Sequence, residues 1–183
     1  MSYRRLFILI EGNDDERFFN KILVPIFEKK YDLVQLWAYA NETKKRVNNL
    51  LKSIKAMNAD YYFISDINNF SCISAIKQKL SNKYNYLDNN KIIVIIMEIE
   101  SWYLSGLSKE SETKLKVKSY DSTDGLSKET FNRVIPSKFS SRIDFIQEIL
   151  KCFNINIAVR KNKSFNYFFN KSQSNIDMNQ TSQ

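Results

Sequence analysis

Four stretches of this chain are apolar almost from end to end, and each gives way to a segment of helical periodicity. That alternation narrows the fold more than any other feature. The stretches are RLFILIEG (residues 5–12), DLVQLWAYA (32–40), DYYFISDINN (60–69) and KIIVIIMEIE (91–100). A strand that is apolar on both faces must be covered on both, which is the situation of a parallel sheet with helices above and below. Strand–helix alternation four times over therefore predicts a doubly wound α/β sheet, mainly parallel.

The intervening segments support this. In NDDERFFNKILVPIFEKKY, Asn13 or Asp14 can cap a helix whose first turn is acidic, where acids favour the helix dipole. Phe18, Ile22, Leu23 and Ile26 fall on one face, and Pro25 is expected to kink or end the helix. Val47, Leu50, Leu51 and Ile54 have core spacing in the next helix, and FSCISAIKQKLSNKY reads as a third. SWYLSGL begins a helix directly after the fourth strand, which reads as a central one. The core is expected over residues 1–107. Residues 108–170 read as a polar insertion plus helical segments, with Ile143, Ile146, Ile149 and Leu150 at core spacing. Residues 171–183 have little apolar content and read as a disordered tail.

Length and composition set outer limits. With 183 residues, the chain is one domain or one domain with an addition. No apolar run approaches the ~20 residues that span a bilayer, and the N-terminus turns acidic too soon for a signal peptide, so a cytoplasmic protein is expected. Cys72 and Cys152 have no metal-ligand spacing and read as two buried small hydrophobes. The chain has no histidine. That removes histidine-based nucleophile activation and most zinc catalysis, and leaves carboxylates, lysines, tyrosines, hydroxyls or a bound metal. The net charge of +8 favours anionic partners without sequence preference.

Three strands end in acids: Glu11 on the first, Asp66 on the third, Glu98 and Glu100 on the fourth. In an open parallel sheet the C-terminal ends share one edge, where ligands bind. Carboxylates gathered there without histidine or paired cysteine suit a hard cation such as magnesium or manganese. Such an ion can hold a phosphodiester and activate water. Each acid also has a plainer role available. Glu11 can cap a helix or pair with Arg5, Asp66 can shape an Asx turn, and Glu98 and Glu100 can favour a helix dipole.

LIEGNDDERFF, YFISDINNFSC and IIMEIESWYLSG together resemble the topoisomerase–primase, or TOPRIM-like, domain, in a small standalone branch. The resemblance extends over RVIPSKF and VRKNKSFNYFF to about Phe169. It implies a Rossmann-like sheet with a divalent-metal site. Glu11 matches the family's metal-binding glutamate, which can also act as general acid or base, and Asp66 matches the first aspartate of its Asp-x-Asp. Asn68 stands where the second aspartate would be, which lowers the charge available for a second ion. Glu98, ahead of Glu100, can supply it, as an extra acid does in TOPRIM nucleases of the overcoming-lysogenization-defect type. An ATPase partner is also implied. Asp15 is expected near the metal through a water, or else in a solvated first helical turn.

Trp102 reads as core. Basic runs usually mark solvated faces, but the resemblance includes Arg160, Lys163 and Ser164, which are expected to hold a nucleic-acid phosphate. The leading expectation is a Mg2+- or Mn2+-dependent nuclease acting on DNA or RNA. The alternative is a non-catalytic TOPRIM-like module that binds nucleic acid or an ATPase partner.

Overall fold

The computed structural model describes residues 3–67 and 69–178, with side chains described as far as residue 174. Residues 1–2, Asn68 and residues 179–183 lie outside the described residues. The chain forms two compact units that divide between Val94 and Ile95.

The first unit carries a Rossmann-like parallel sheet of four strands: β1 (Arg5–Ile10), β2 (Leu33–Ala38), β3 (Asp60–Asp66) and β4 (Ile92–Ile95). Their order is β2-β1-β3-β4. β1 runs in register with β2 from Arg5 opposite Leu33 to Ile10 opposite Ala38, and with β3 from Leu6 opposite Asp60. β1 and β3 are therefore the central strands. β4 lies at the edge, which corrects the expectation of a central strand, although all four of its residues are buried. A continuous apolar run reports cover on both faces of a strand and says nothing about its lateral neighbours. β4 is also shorter than the run that announced it. It stops at Ile95, and Met97 adopts a left-handed backbone with φ of 66°.

After β1 the chain enters α1 (Asn13–Phe18), a π-helical segment (Phe19–Leu23) and α2 (Val24–Phe27) without a break. Pro25 lacks an N–H, and in an α-helix its ring would strike the carbonyl four residues back. The wider π turn precedes it, with the Val24 N–H donating to the Phe19 carbonyl five residues back. The helical run therefore continues past Pro25 instead of ending there. The extra residue also rotates the apolar face. Phe18, Phe19, Leu23 and Phe27 are buried, whereas Ile22 and Ile26, expected in the core, are only half-buried. Two further helices complete the unit, α3 (Lys44–Ala56), capped by Thr43, and α4 (Ile73–Lys83). Val47, Leu51 and Ile54 of α3 and Ile76 and Leu80 of α4 pack with Phe7, Leu9, Phe63 and Val94, while Leu50 is partly buried against them.

The second unit is helical: α5 (Ile99–Ser105), α6 (Lys109–Leu115), α7 (Lys128–Arg133), α8 (Arg142–Lys151), α9 (Ile155–Lys161) and α10 (Lys163–Met178). α5 is buried along its whole length, the signature of a helix enclosed on all sides. Trp102, fully buried, meets Phe165 edge-on at 5.2 Å and stacks on Phe168 at 5.6 Å. On another face Tyr103 packs against Phe131, and Phe131 against Phe145. Gly106, the C-cap of α5, lies so close to Phe153 that a Cβ would come within 2.3 Å of the ring.

Three expectations for this half change. Phe145 takes the core place expected for Ile143, which is exposed. The segment expected to be a disordered tail from residue 171 is helical as far as Met178. The polar insertion holds α6 and α7, capped by Ser108 and Ser127. The cysteine expectation also fails, because Cys72, at the N-cap of α4, is exposed and Cys152 is half-buried.

Candidate functional site at the C-terminal edge of the sheet

β1 and β3 are neighbours and parallel, so the residues that follow them emerge side by side. Glu11 follows β1 directly and Asp66 ends β3. One carboxylate oxygen, Oε1 of Glu11, ties the two together. It accepts the Asp66 backbone N–H at 3.2 Å, the Ser65 hydroxyl at 2.9 Å and the Tyr39 phenol at 3.1 Å. The Tyr39 hydroxyl also lies 2.8 Å from the Ile64 carbonyl. The Glu11 side chain is thus fixed by three donors from two other chain segments, a placement a merely solvated acid would not have. Burial, and next the neighbouring Glu11 charge, push the Tyr39 phenol far above its usual range. It stays protonated and serves as a donor.

Asp15 is buried and its Oδ2 accepts the Gly12 N–H at 3.1 Å, reaching back over the start of α1. That contact gives it a helix-capping role. Asp14 pairs with Arg17 at 2.6 Å. Beside Glu11 opens a cleft of about 510 Å3, with Tyr39, Ser65 and Asn69 along the strand ends and Lys79 and Lys83 of α4 opposite. Lysines at this position carried no signal in the residue pattern. They lie on the polar face of an amphipathic helix, where lysines are ordinary.

The remaining expected site residues belong to the second unit. Glu98 is the N-cap of α5, in extended conformation, and its Oε2 accepts the Lys128 backbone N–H at 2.6 Å. Glu100 lies in the first turn, 2% exposed, and accepts Arg142 Nη2 at 2.6 Å. Burial pushes its carboxyl above the usual carboxylate range, and Arg142 pulls it back. The helix start between the two acids gives them different neighbours.

Ser164 is buried. Its hydroxyl receives the Trp102 indole N–H at 2.9 Å and lies 2.8 Å from Asn162 Oδ1, and the same Asn162 amide reaches Ser101 and Thr123. This network locks the start of α10 onto α5. Lys163 extends into solvent with its ammonium 3.6 Å from Asp124. Arg160 lines a shallow depression with Lys109 and Tyr120.

Among the described residues no three acidic, cysteine or histidine side chains gather as a metal cage. Magnesium usually needs no such cage. It is commonly held by one or two carboxylates, waters and the substrate's own phosphates. Glu11 and Asp66, adjacent at the strand ends, fit that donor set, and the three donors on Glu11 Oε1 leave Oε2 as the oxygen for an ion.

The fold and this edge define a parallel α/β protein with a carboxylate-bearing cleft where such sheets bind ligands. No protein-family model matches the chain, and no curated protein matches it. Among solved structures it is similar to the C-terminal region of the OLD protein of Xanthomonas campestris pv. campestris. The identity is 11% and the TM-score 0.49, over 99% of this chain and 100% of that one. Among the described residues no helix is long and apolar enough to cross a membrane.

Proposed function

We propose that this chain is a TOPRIM-like protein that processes phosphodiester bonds of nucleic acid with a divalent cation, Mg2+ or Mn2+. The observation that carries the reading is the joining of Glu11 to the end of β3. The Glu11 carboxylate accepts the backbone N–H of Asp66, so two acids remote in sequence stand at neighbouring strand ends where a parallel sheet binds its ligands, and Glu11 lines a cleft there. A cation bound there would polarise the phosphodiester and make an attacking water more acidic. The chain's own contribution is positioning. Tyr39 and Ser65 hold the Glu11 carboxylate through Oε1, so its second oxygen is presented without rotamer freedom.

The test is nicking of supercoiled plasmid and cleavage of single-stranded RNA with Mg2+ or Mn2+, wild type against Glu11→Gln. The expected result is metal-dependent cleavage by the wild type and its loss in the variant. Equal cleavage by both would remove the proposal. A second reading, a non-catalytic module that binds nucleic acid or an ATPase partner, is favoured by the three bonds already spent on Glu11 Oε1. Under it, calorimetry with millimolar Mn2+ would show no heat that Glu11→Gln abolishes.

A further inference from the structure

We propose that α4 forms the strand-binding wall of this cleft, with Lys79 and Lys83 neutralising consecutive phosphates of a nucleic-acid strand that runs past Glu11. The inference rests on the reading of the cleft as a nucleic-acid site and names the residues and the helix that would hold the backbone.

The two lysines are one helical turn apart, about 6 Å along the axis, on the same face. Both line the cleft that Glu11 lines. Each ammonium is seated over an aromatic ring, Lys79 at 4.8 Å from the Phe70 centroid and Lys83 at 5.0 Å from that of Tyr84. A ring satisfies one side of an ammonium and leaves its other N–H donors for an acceptor, while limiting the freedom of a long side chain. Among the described residues neither lysine is in an ion pair. This contrasts with Lys151, paired with Glu148, and Lys161, paired with Glu112. The Ser65 and Tyr39 hydroxyls belong to the opposite wall and are bonded to Glu11. The cleft therefore has an anionic wall suited to a cation and a cationic wall suited to phosphate. A phosphodiester between them would meet both.

A cleft of about 510 Å3 is also large enough for a single nucleotide. The pairing of two lysines at one-turn spacing favours a strand, because two charges in a row match a polymer of phosphates better than one terminal group.

The experiment measures binding of a fluorescent single-stranded oligonucleotide by anisotropy, in EDTA, over a salt series. Each phosphate contact on a single strand contributes about 0.7 to the slope of log K against log salt, so K79A/K83A should lower the slope by about 1.4. Between 50 and 200 mM salt the wild type should then lose about sevenfold more affinity than the variant. K79R/K83R should keep the wild-type slope. The control K52A/K55A removes the same charge from exposed positions of α3 that do not line the cleft.

An unchanged slope in K79A/K83A would overturn the proposal. So would an equal fall in the control, which would assign the effect to net charge. Displacement of the oligonucleotide by an equal concentration of AMP would put a single nucleotide in the cleft and also overturn it. Because EDTA removes any cleavage, binding that depends on Lys79 and Lys83 without nuclease activity would sink only the catalytic reading. Cleavage that needs Glu11 but ignores both lysines would sink only this one.

Discussion

The Glu100–Arg142 pair offers a quantitative test of the second unit. Glu100 is 2% exposed and its carboxylate accepts Arg142 Nη2 at 2.6 Å, while Arg142 Nε donates to Asn132 at 2.9 Å. Burial is the largest influence on this carboxyl and raises it, the neighbouring Glu98 charge raises it further, and Arg142 opposes both. A carboxyl raised on folding contributes stability that is fully present below its unfolded value, about 4.3. That stability is lost as pH rises through the folded value. Substituting Arg142→Met removes the opposing charge, so the loss with rising pH should deepen. Near neutral pH a buried carboxylate without its cation costs about 3–5 kcal/mol. Near pH ~4 the protonated carboxyl lacks only a hydrogen bond, about 1–3 kcal/mol. In urea unfolding the neutral-pH loss should shift the midpoint by roughly 2 M, and the shift near pH ~4 should be clearly smaller. Adding Glu100→Gln to Arg142→Met should recover much of the neutral-pH loss, because the uncompensated charge is gone. Equal costs at the two pH values, or strict additivity of the two substitutions, would refute the buried-pair account.

Gly106→Ala should destabilise by about 1–3 kcal/mol through the Phe153 clash. Gly125→Ala, where a Cβ meets nothing within 4 Å, should be neutral or stabilising by up to about 1 kcal/mol. Thermal unfolding of the two variants compares them directly, and the same change in both would dispose of the steric argument. Ser164→Ala leaves the buried Trp102 indole N–H without its acceptor and should cost about 1–3 kcal/mol in urea unfolding, with oligonucleotide affinity unchanged. Lost affinity with unaltered stability would reverse that assignment. Tyr39→Phe should cost about 1.5–3 kcal/mol, the usual worth of a buried hydrogen bond to a charged group, also read by urea unfolding.

The alternation of strands and helices was legible because β1, β3 and β4 are buried almost throughout and so leave continuous apolar runs, whereas β2, at the edge of the sheet, has no buried residue. The same property concealed lateral order, since Ile92–Ile95 is as apolar at the edge of the sheet as β1 is in the middle. Helix existence was legible too, but the buried face of the first helix was not. A period of 3.6 places Ile22 and Ile26 inward beside Phe18 and Leu23, and one residue inserted as a π turn keeps Phe18 and Leu23 there but brings in Phe19 and Phe27 instead of the two isoleucines. That insertion answers to Pro25, a backbone constraint that apolar periodicity does not register. Cys72 misled for a related reason. Its composition class is usually buried, whereas its place at a helix start is an exposed one.

For the candidate site, a residue's type carried less information than its neighbours do. Glu11 and Asp66 looked no different in sequence from Glu98 and Glu100, since all four close apolar runs. Their surroundings separate them. Within its own unit, Glu98 accepts a backbone N–H of Lys128 at the start of α7, and Glu100 is paired with Arg142 in a wholly buried helix. Those contacts explain why acids follow the IIVIIM run without reference to any ligand. Glu11 has no such sufficient explanation. Its carboxylate gathers a phenol, a hydroxyl and a backbone N–H and lines an open cleft, yet no cation-bearing side chain pairs with it among the described residues. Substitutions in α5 should accordingly register first as losses of stability. Glu11→Gln, which keeps an oxygen for the Tyr39, Ser65 and Asp66 donors, should register first as a loss of metal-dependent cleavage, and that division is what the nicking experiment, read beside urea unfolding, would detect.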